Sequence, residues 1–180
     1  KTEYDSPDGR GDAVQAALRE AGIRGKRGVS AVSGRSVIIR QVPMPAVAGT
    51  DWRQTVEYEA DKYIPFDISE VQLDAHRMGD GAAGGEGGQI KVLLVAVKKS
   101  LIEEHVALLQ SVGLSPVAID VDVFAMGNAF ELRNLCLGIN DEEIRALVDI
   151  GGSKTNINIM AGNGSTFHRE IYVAGNDLTD

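Results

Sequence analysis

The sequence contains few of the residues that commit a chain to a covalently cross-linked or membrane-spanning class. It has one cysteine in 180 residues, Cys136, so no internal disulfide can form, which is typical of proteins from a reducing compartment. No apolar run approaches the roughly 20 residues that cross a bilayer. The polar stretch at residues 1–10 has no apolar region of a signal peptide. We therefore expect a soluble, cytoplasmic chain that reaches a membrane only through partners.

Basic residues are also scarce and scattered. The chain carries 18 Lys and Arg against 26 Asp and Glu, a formal net charge of -8. Nucleic-acid backbones require clustered positive charge, so we predict no nucleic-acid partner. The histidines show no metal-ligand spacing with one another or with the cysteine, and we predict no zinc site among His76, His105, His168 and Cys136.

The first third of the chain predicts alternating helices and strands. After a polar arm of about nine residues, a helix is expected from Asp12, a plausible cap, to Gly22. A short strand follows at residues 28–32.

Residues 36–98 predict a compact strand–helix–strand–strand unit. The first strand covers residues 37–42 and is expected to end at the two prolines that follow it. A helix capped by Asp51 should bury one face, formed by Trp52, Val56, Ala60 and Tyr63. A half-buried strand begins at Val71. The glycine-rich residues 79–89 predict a flexible connection to an apolar strand at 90–97.

The pattern after residue 98 is typical of an α/β domain. Ser100 and Glu103 predict a capping box for a helix that Gly113 ends. A strand at residues 117–119 follows, and then a helix that Asp122 caps and that is expected to run through Phe130. Three strands close the chain, at residues 146–150, 156–160 and 167–173.

The strongest chemical signal is the segment D-I-G-G-S-K-T at residues 149–155, between two predicted strands. Glycines let the backbone approach a phosphate closely, and successive N–H groups can form an anion-binding nest. The carboxylate of Asp149 can hold Mg²⁺ through water. The hydroxyls of Ser153 and Thr155 can bond to phosphate oxygens. The alternative is an ordinary glycine hairpin with an aspartate beside the turn.

The order of elements resembles the actin, Hsp70 and sugar-kinase superfamily. Gly113-Leu114, a strand, an acidic residue, an alanine-bearing helix and the Asp-x-Gly-Gly hairpin follow one another as they do there. Four further segments stand in the order and spacing of the PilM family, namely AVSGRSVI at 31–38, VPMP at 42–45, EADKYIPF at 59–66 and LLVA at 93–96. This family comprises actin-like proteins of type IV pilus assembly and is similar to the cell-division protein FtsA. The resemblance covers nearly the whole chain from about Asp12.

The resemblance implies a fragment of an actin-like (ribonuclease H-like) α/β ATPase fold that carries an inserted strand–helix–strand–strand α+β subdomain. It assigns residues 1–35 to part of the first actin-like subdomain and residues 36–98 to the insertion. Residues 99–145 complete the first subdomain, and residues 146–180 begin the second. The first subdomain's own phosphate hairpin and the adenine-binding part are expected to be missing, so the chain should be truncated at both ends.

The resemblance also implies roles for particular residues. The family's second phosphate loop matches Asp149, Gly151, Gly152, Ser153, Lys154 and Thr155, with Asp149 as the metal ligand. Asp122 matches the acidic connector near the metal and the attacking water, a catalytic position, although a plain helix cap is an equal alternative. Gly175 stands where the chain returns to the phosphates, with Ala174 replacing a glycine. A lysine in this loop is unusual, and Lys154 is interpreted as a solvated turn residue.

The implied cofactors are ATP and Mg²⁺ in the intact protein, with none bound and no hydrolysis by this chain alone, because one loop cannot position a nucleotide for phosphoryl transfer. The implied function is a scaffold at the inner face of the bacterial inner membrane. Its partners would be the cytoplasmic N-terminal tail of PilN, held between the first subdomain and the insertion, and other pilus assembly proteins. Self-association is a further expectation. The alternatives are an FtsA-like division protein and a small-molecule kinase.

Overall fold

The computed structural model describes residues 7–45, 52–78, 89–139, 143–161 and 164–179. In these ranges the helices are α1 (Pro7–Glu20), α2 (Trp52–Ala60), α3 (Lys99–Ser111), α4 (Asp122–Leu137) and α5 (Gly175–Thr179). The strands are β1 (Arg27–Val32), β2 (Val37–Pro45), β3 (Val71–Met78), β4 (Gln89–Lys98), β5 (Ser115–Val121), β6 (Ile144–Ile150), β7 (Thr155–Ala161) and β8 (Gly164–Ile171). None of the helices within these ranges is long and apolar enough to cross a membrane.

The strands form three small sheets, and the chain divides into two compact units. β1 pairs with β5, while the other two sheets have the orders β2-β4-β3 and β6-β7-β8 and are antiparallel. The first unit comprises Lys1–Gly28 and Arg35–Val117, and the second comprises Val29–Gly34 and Ala118–Asp180. The subdomain boundaries expected from the sequence stay a prediction.

The strand–helix–strand–strand order of the insertion is present in the first unit. Its sheet places β4 between β2 and β3, and its core joins α2 to alternate residues of β4. The buried members include Met44, Val56, Ala60, Val92 and Leu94, of which Ala60 and Val92 are 0% exposed. Every second residue of β4 is buried because successive side chains of a strand point to opposite faces of the sheet. Tyr63 packs against the same cluster, as expected.

The expectation that the first strand stops before the prolines is wrong, since β2 continues through Pro43 to Pro45. The physical reason is the position of β2 at the edge of its sheet. A proline lacks an N–H donor, and an edge strand bonds its neighbour through alternate residues only. Two prolines that are two residues apart can therefore both occupy positions whose donor is not needed.

Two helix starts also differ from the expectation. α1 begins at Pro7, five residues before Asp12. Proline suits a first helical turn, and Gly11 is buried where a Cβ would lie 3.5 Å from Val112 at the end of α3. Close packing of α1 on α3 therefore offsets the weak helix propensity of the glycines. α3 begins at Lys99 with no side-chain cap bond, so the capping box was a wrong prediction.

Some expectations fall on residues outside the described ranges. The cap at Asp51 and residues 79–88 of the glycine-rich connection expected at 79–89 are among them, whereas Gln89 already belongs to β4.

In the second unit, α4 extends to Leu137, further than its small-residue start indicates. It ends at Gly138, whose positive φ of 64° is a conformation that favours glycine. The face of α4 that carries Gly127 lies on β7, where the Cβ of an alanine at position 127 would be 3.5 Å from Asn158 Nδ2. This close approach positions the start of α4 beside the β6–β7 turn.

Candidate functional site

The D-I-G-G-S-K-T segment forms a tight hairpin turn between two strands of the second unit. Ile150 at the end of β6 pairs with Thr155 at the start of β7, which leaves a four-residue turn at positions 151–154. The N–H of Gly151 donates to the carbonyl of Lys154 at 2.9 Å and closes this turn. A Cβ on Gly151 would lie 3.0 Å from the same carbonyl oxygen, so the closure leaves no room for a side chain there.

The chain returns to this turn at the start of α5. The N–H groups of Gly175 and Asn176 donate to the carbonyls of Gly151 and Gly152 at 2.9 and 2.8 Å. A Cβ on Gly175 would lie 3.1 Å from the Gly151 oxygen. The structure therefore brings Gly175 to the hairpin, but here its N–H serves the turn. The glycines at 151 and 175 are explained by the approach of two backbones to each other.

Thr155 and Ala174 are buried behind the turn. The hydroxyl of Thr155 donates to the carbonyl of Val173 at 2.8 Å. The N–H of Ala174 donates to the carboxylate of Asp177 at 2.8 Å, and Ala174 is 1% exposed. The Thr155 hydroxyl thus supports the return segment, whereas Ser153 is exposed on the turn itself. Of these two residues, only Ser153 is exposed to solvent.

Asp122 is the first residue of α4, and its carboxylate faces the hairpin. Val121 is the N-cap and makes no side-chain cap bond, so the interpretation of Asp122 as the cap is wrong. Its Oδ2 accepts hydrogen bonds from Lys154 Nζ at 2.6 Å and Asn156 Nδ2 at 2.8 Å. The other oxygen, Oδ1, accepts from the N–H of Val123 at 2.7 Å. The acidic connector and the hairpin are therefore in direct contact.

Lys154 is the cation of this site, and its interpretation as a solvated turn residue is wrong. Its ammonium bridges Asp122 and Glu170, at 2.6 and 3.0 Å, and its side chain is only 23% exposed. Burial lowers the pKa of Lys154, but the hydrogen bonds that its ammonium donates to Asp122 and Glu170 outweigh burial, so the pKa is raised above its ordinary value. The lysine is held as a cation between two carboxylates.

The donors of the turn fit a phosphate group. Gly152 and Ser153 are exposed, and their N–H groups have no acceptor within the part of the chain that the structure describes. Together with the Lys154 ammonium they place backbone donors and a positive charge on one turn. Phosphate oxygens bind this combination of donors, because hydrogen bonds to an ionised acceptor are the stronger class.

The carboxylates fit Mg²⁺ less completely. Asp149 lies opposite Asn156 at the end of β6 and is exposed, which suits a metal held through water. Over the described ranges, no group of three His, Cys, Asp or Glu residues is arranged to hold a metal ion. A magnesium ion at Asp149 would therefore take its remaining ligands from water and from the phosphates.

Sequence reasoning missed Glu170, Asn156 and Asn158. Asn156 and Asn158 alternate with isoleucines on β7 and are buried, a polar alternation that could have indicated a hydrogen-bonded face. Asn158 is 0% exposed; it donates to the carbonyl of Val123 and accepts from Ser165 Oγ. Glu170 lies opposite Asn156 in the β7–β8 register, which only the fold determines.

Comparison with known proteins defines the class first. A solved structure, the PilM–PilN type IV pilus biogenesis complex, matches 97% of this chain with a TM-score of 0.82 and 28% sequence identity. The cytoplasmic domain of EpsL, an inner-membrane component of the type II secretion system of Vibrio cholerae, matches 90% with a TM-score of 0.60 and 15% identity, which shows the fold alone. The architecture is that of the actin-like ATPase fold, as the sequence indicated.

The particular family follows from a family model described as type IV pilus assembly protein PilM, which matches residues 2–180. The chain belongs to this family, and the resemblance stated from the sequence is confirmed. It spans about half the length of the solved chains it matches, 51% of the chain in the PilM–PilN complex and 56% of the chain of the EpsL cytoplasmic domain.

Proposed function

We propose that this protein is a cytoplasmic scaffold of type IV pilus assembly that acts at the inner face of the inner membrane. It would recruit the membrane-embedded pilus proteins through the short cytoplasmic tail of a PilN-type partner. The observation that carries the proposal is the match of 97% of the chain, with a TM-score of 0.82, to a protein solved as a PilM–PilN complex. Family membership over residues 2–180 supports the same role.

We propose further that the intact protein binds ATP at the hairpin. The N–H groups of Gly152 and Ser153 would hold phosphate oxygens, and the hydroxyl of Ser153 would add a donor. Gly151 and Gly175 support the turn by their backbone contact. Asp149 would hold Mg²⁺ through water, and the bound ion would neutralise phosphate charge.

The state of Asp122 favours a slow ATPase at most. Lys154 and Asn156 both donate to Asp122 Oδ2, so two protein donors compete there with an attacking water. A general base must reach the proton that it abstracts, directly or through one water. In the arrangement observed, Asp122 is better suited to positioning the hairpin than to taking a proton. ATP would then set a conformation of the scaffold, with little turnover.

Binding of a synthetic peptide tests the partner. Isothermal titration of the intact protein with the N-terminal cytoplasmic peptide of the PilN from the same organism is expected to give saturable binding. A peptide of the same composition in scrambled order, and a peptide from a cell-division partner, serve as controls. Equal heats for all three peptides, or saturable binding of the division peptide alone, would overturn the proposal.

Nucleotide binding is tested separately, by titration of ATP with and without Mg²⁺ and by phosphate release. We expect ATP to bind and hydrolysis to be slow. Turnover that rises on addition of one small metabolite would instead identify a small-molecule kinase.

A further inference from the structure

The ammonium of Lys154 has a donor left over after its two ion pairs. A lysine ammonium carries three N–H donors and no acceptor. Two of them are used by Asp122 at 2.6 Å and Glu170 at 3.0 Å, and no third partner is recorded within the described residues. The ammonium is thus held by two ion pairs, its third N–H is not used within the described residues, and the Lys154 side chain is 23% exposed.

The two carboxylates come from different elements and hold the ammonium at the turn. Asp122 begins α4, and Glu170 lies near the end of β8. A flexible lysine normally loses side-chain entropy when it binds a ligand. Here the Lys154 side chain loses this entropy when the protein folds, because the two ion pairs already restrict it before a ligand binds. Such preorganisation strengthens binding of an acceptor that reaches the remaining donor.

The acceptor that fits is an anion with several oxygens. The N–H groups of Gly152 and Ser153 lie on the same turn as Lys154. A neutral carbonyl could satisfy one of these donors, whereas a phosphate group offers several charged oxygens to all of them. We propose that Lys154 contacts a phosphate of the bound nucleotide and that Glu170 is the positioning residue for its ammonium. The proposal rests on nucleotide binding at the hairpin.

The competing explanation is that the two ion pairs of Lys154 only stabilise the turn and that its ammonium contacts no phosphate. Two substitutions separate these explanations. Lys154→Met removes both ion pairs and the phosphate contact. Glu170→Gln removes one ion pair and keeps the ammonium, which Asp122 still holds. If the ion pairs only stabilise the turn, the loss of binding free energy should scale with the number of ion pairs removed, so Glu170→Gln should lose about half as much as Lys154→Met. If Lys154 contacts phosphate, Lys154→Met should lose far more than twice as much as Glu170→Gln.

The experiment is isothermal titration of the intact protein and its variants with ATP and with adenosine, with circular dichroism to confirm folding. Lys154→Met is expected to weaken ATP binding about 10- to 100-fold, the loss of one hydrogen bond between charged groups. Lys154→Arg should recover binding to within about 5-fold, and Glu170→Gln should weaken binding about 2- to 3-fold, because it removes one of the two ion pairs that position the ammonium. Adenosine affinity should be unchanged in all of them, since adenosine has no phosphate.

Three results would overturn the inference. Unchanged ATP affinity in Lys154→Met would exclude the contact, and a loss of binding free energy in Lys154→Met of no more than twice that in Glu170→Gln would show that Lys154 only stabilises the turn. Failure of the native protein to bind ATP at all would remove the proposed nucleotide function and this inference with it. The first two results leave the nucleotide function standing, so the two failures are distinguishable.

Discussion

The N–H of Gly175 donates to the carbonyl of Gly151 at 2.9 Å, and this bond connects two segments that the sequence separates by 24 residues. The contact is made by backbone atoms alone, and both glycines are needed because a Cβ at either position would come within 3.0 to 3.1 Å of a carbonyl oxygen. The close backbone contact of Gly151 and Gly175 therefore stabilises the turn. The exposed N–H donors belong to two other residues of the turn, Gly152 and Ser153.

A pair of glycine substitutions tests this division of roles. Gly151→Ala should destabilise the second unit by about 1–3 kcal/mol, because its Cβ would press on the Lys154 carbonyl. Gly152→Ala should cost less than about 0.5 kcal/mol, since its nearest neighbour is the Asn176 side chain at 3.6 Å. Hydrogen exchange at the amides of Gly175 and Asn176 measures the effect locally. Equal protection in the two variants would contradict the prediction.

The ion pairs of Lys154 predict a dependence of stability on pH. Because the folded pKa is raised above the reference value of 10.5, the stabilisation is fully present below about pH 10.5 and is lost as the pH rises through the folded pKa. Lys154→Met should cost on the order of 2 kcal/mol at neutral pH. This difference from the native protein should shrink above pH 10.5.

Urea unfolding monitored by circular dichroism between pH 8 and 11.5 gives the measurement. Other lysines and the tyrosines titrate in the same window, so the difference between native protein and variant is the quantity to follow. A difference that stays constant across the window would show that the charge of Lys154 does not supply the stabilisation.

Asn158 is a buried polar residue on which α4, β7 and β8 depend. Its amide donates to the Val123 carbonyl, and its carbonyl oxygen accepts from Ser165. Asn158→Ala should destabilise the second unit by about 2–4 kcal/mol, because it removes these bonds and leaves buried partners unsatisfied. The control is Asn128→Ala on the exposed part of α4, where the expected change is within about 0.5 kcal/mol. Similar losses in both variants would count against the role of Asn158.

Leu94 tests the assignment of the insertion core. It is 1% exposed in the centre of β4, and Leu94→Ala should cost about 2–5 kcal/mol. Tyr58→Ala on the exposed face of α2, at 79% exposure, should change stability by less than about 0.5 kcal/mol. Urea unfolding monitored by circular dichroism measures both changes. Coincident midpoints for the two variants would refute the assignment of the core.

The sequence predicted the elements whose signals are local. The alternation after Val71 predicted β3 correctly, because burial of one sheet face leaves a period of two in the sequence. The almost wholly apolar run around Leu94 predicted β4 correctly. Gly113 correctly predicted the end of α3, since its φ of 82° favours glycine. The prolines of β2 and the start of α1 were predicted wrongly, because an edge position and packing on α3 outweigh local propensity.

The candidate site was predicted in part, as a turn. The glycine turn after Asp149 follows from its residues alone, since two strand patterns flank it. The role of Lys154 could not be predicted from the sequence, because a lysine in a turn is usually solvated.

The amino-acid sequence alone determined the family, the order of helices and strands, and the position of the glycine turn. Each of these depends on residues that are close together in the sequence. Only the tertiary structure decided that Lys154 lies between Asp122 and Glu170, 32 and 16 residues away. The physical reason is that an ion pair needs two groups within about 4 Å, and the β7–β8 register and the packing of α4 determine that distance.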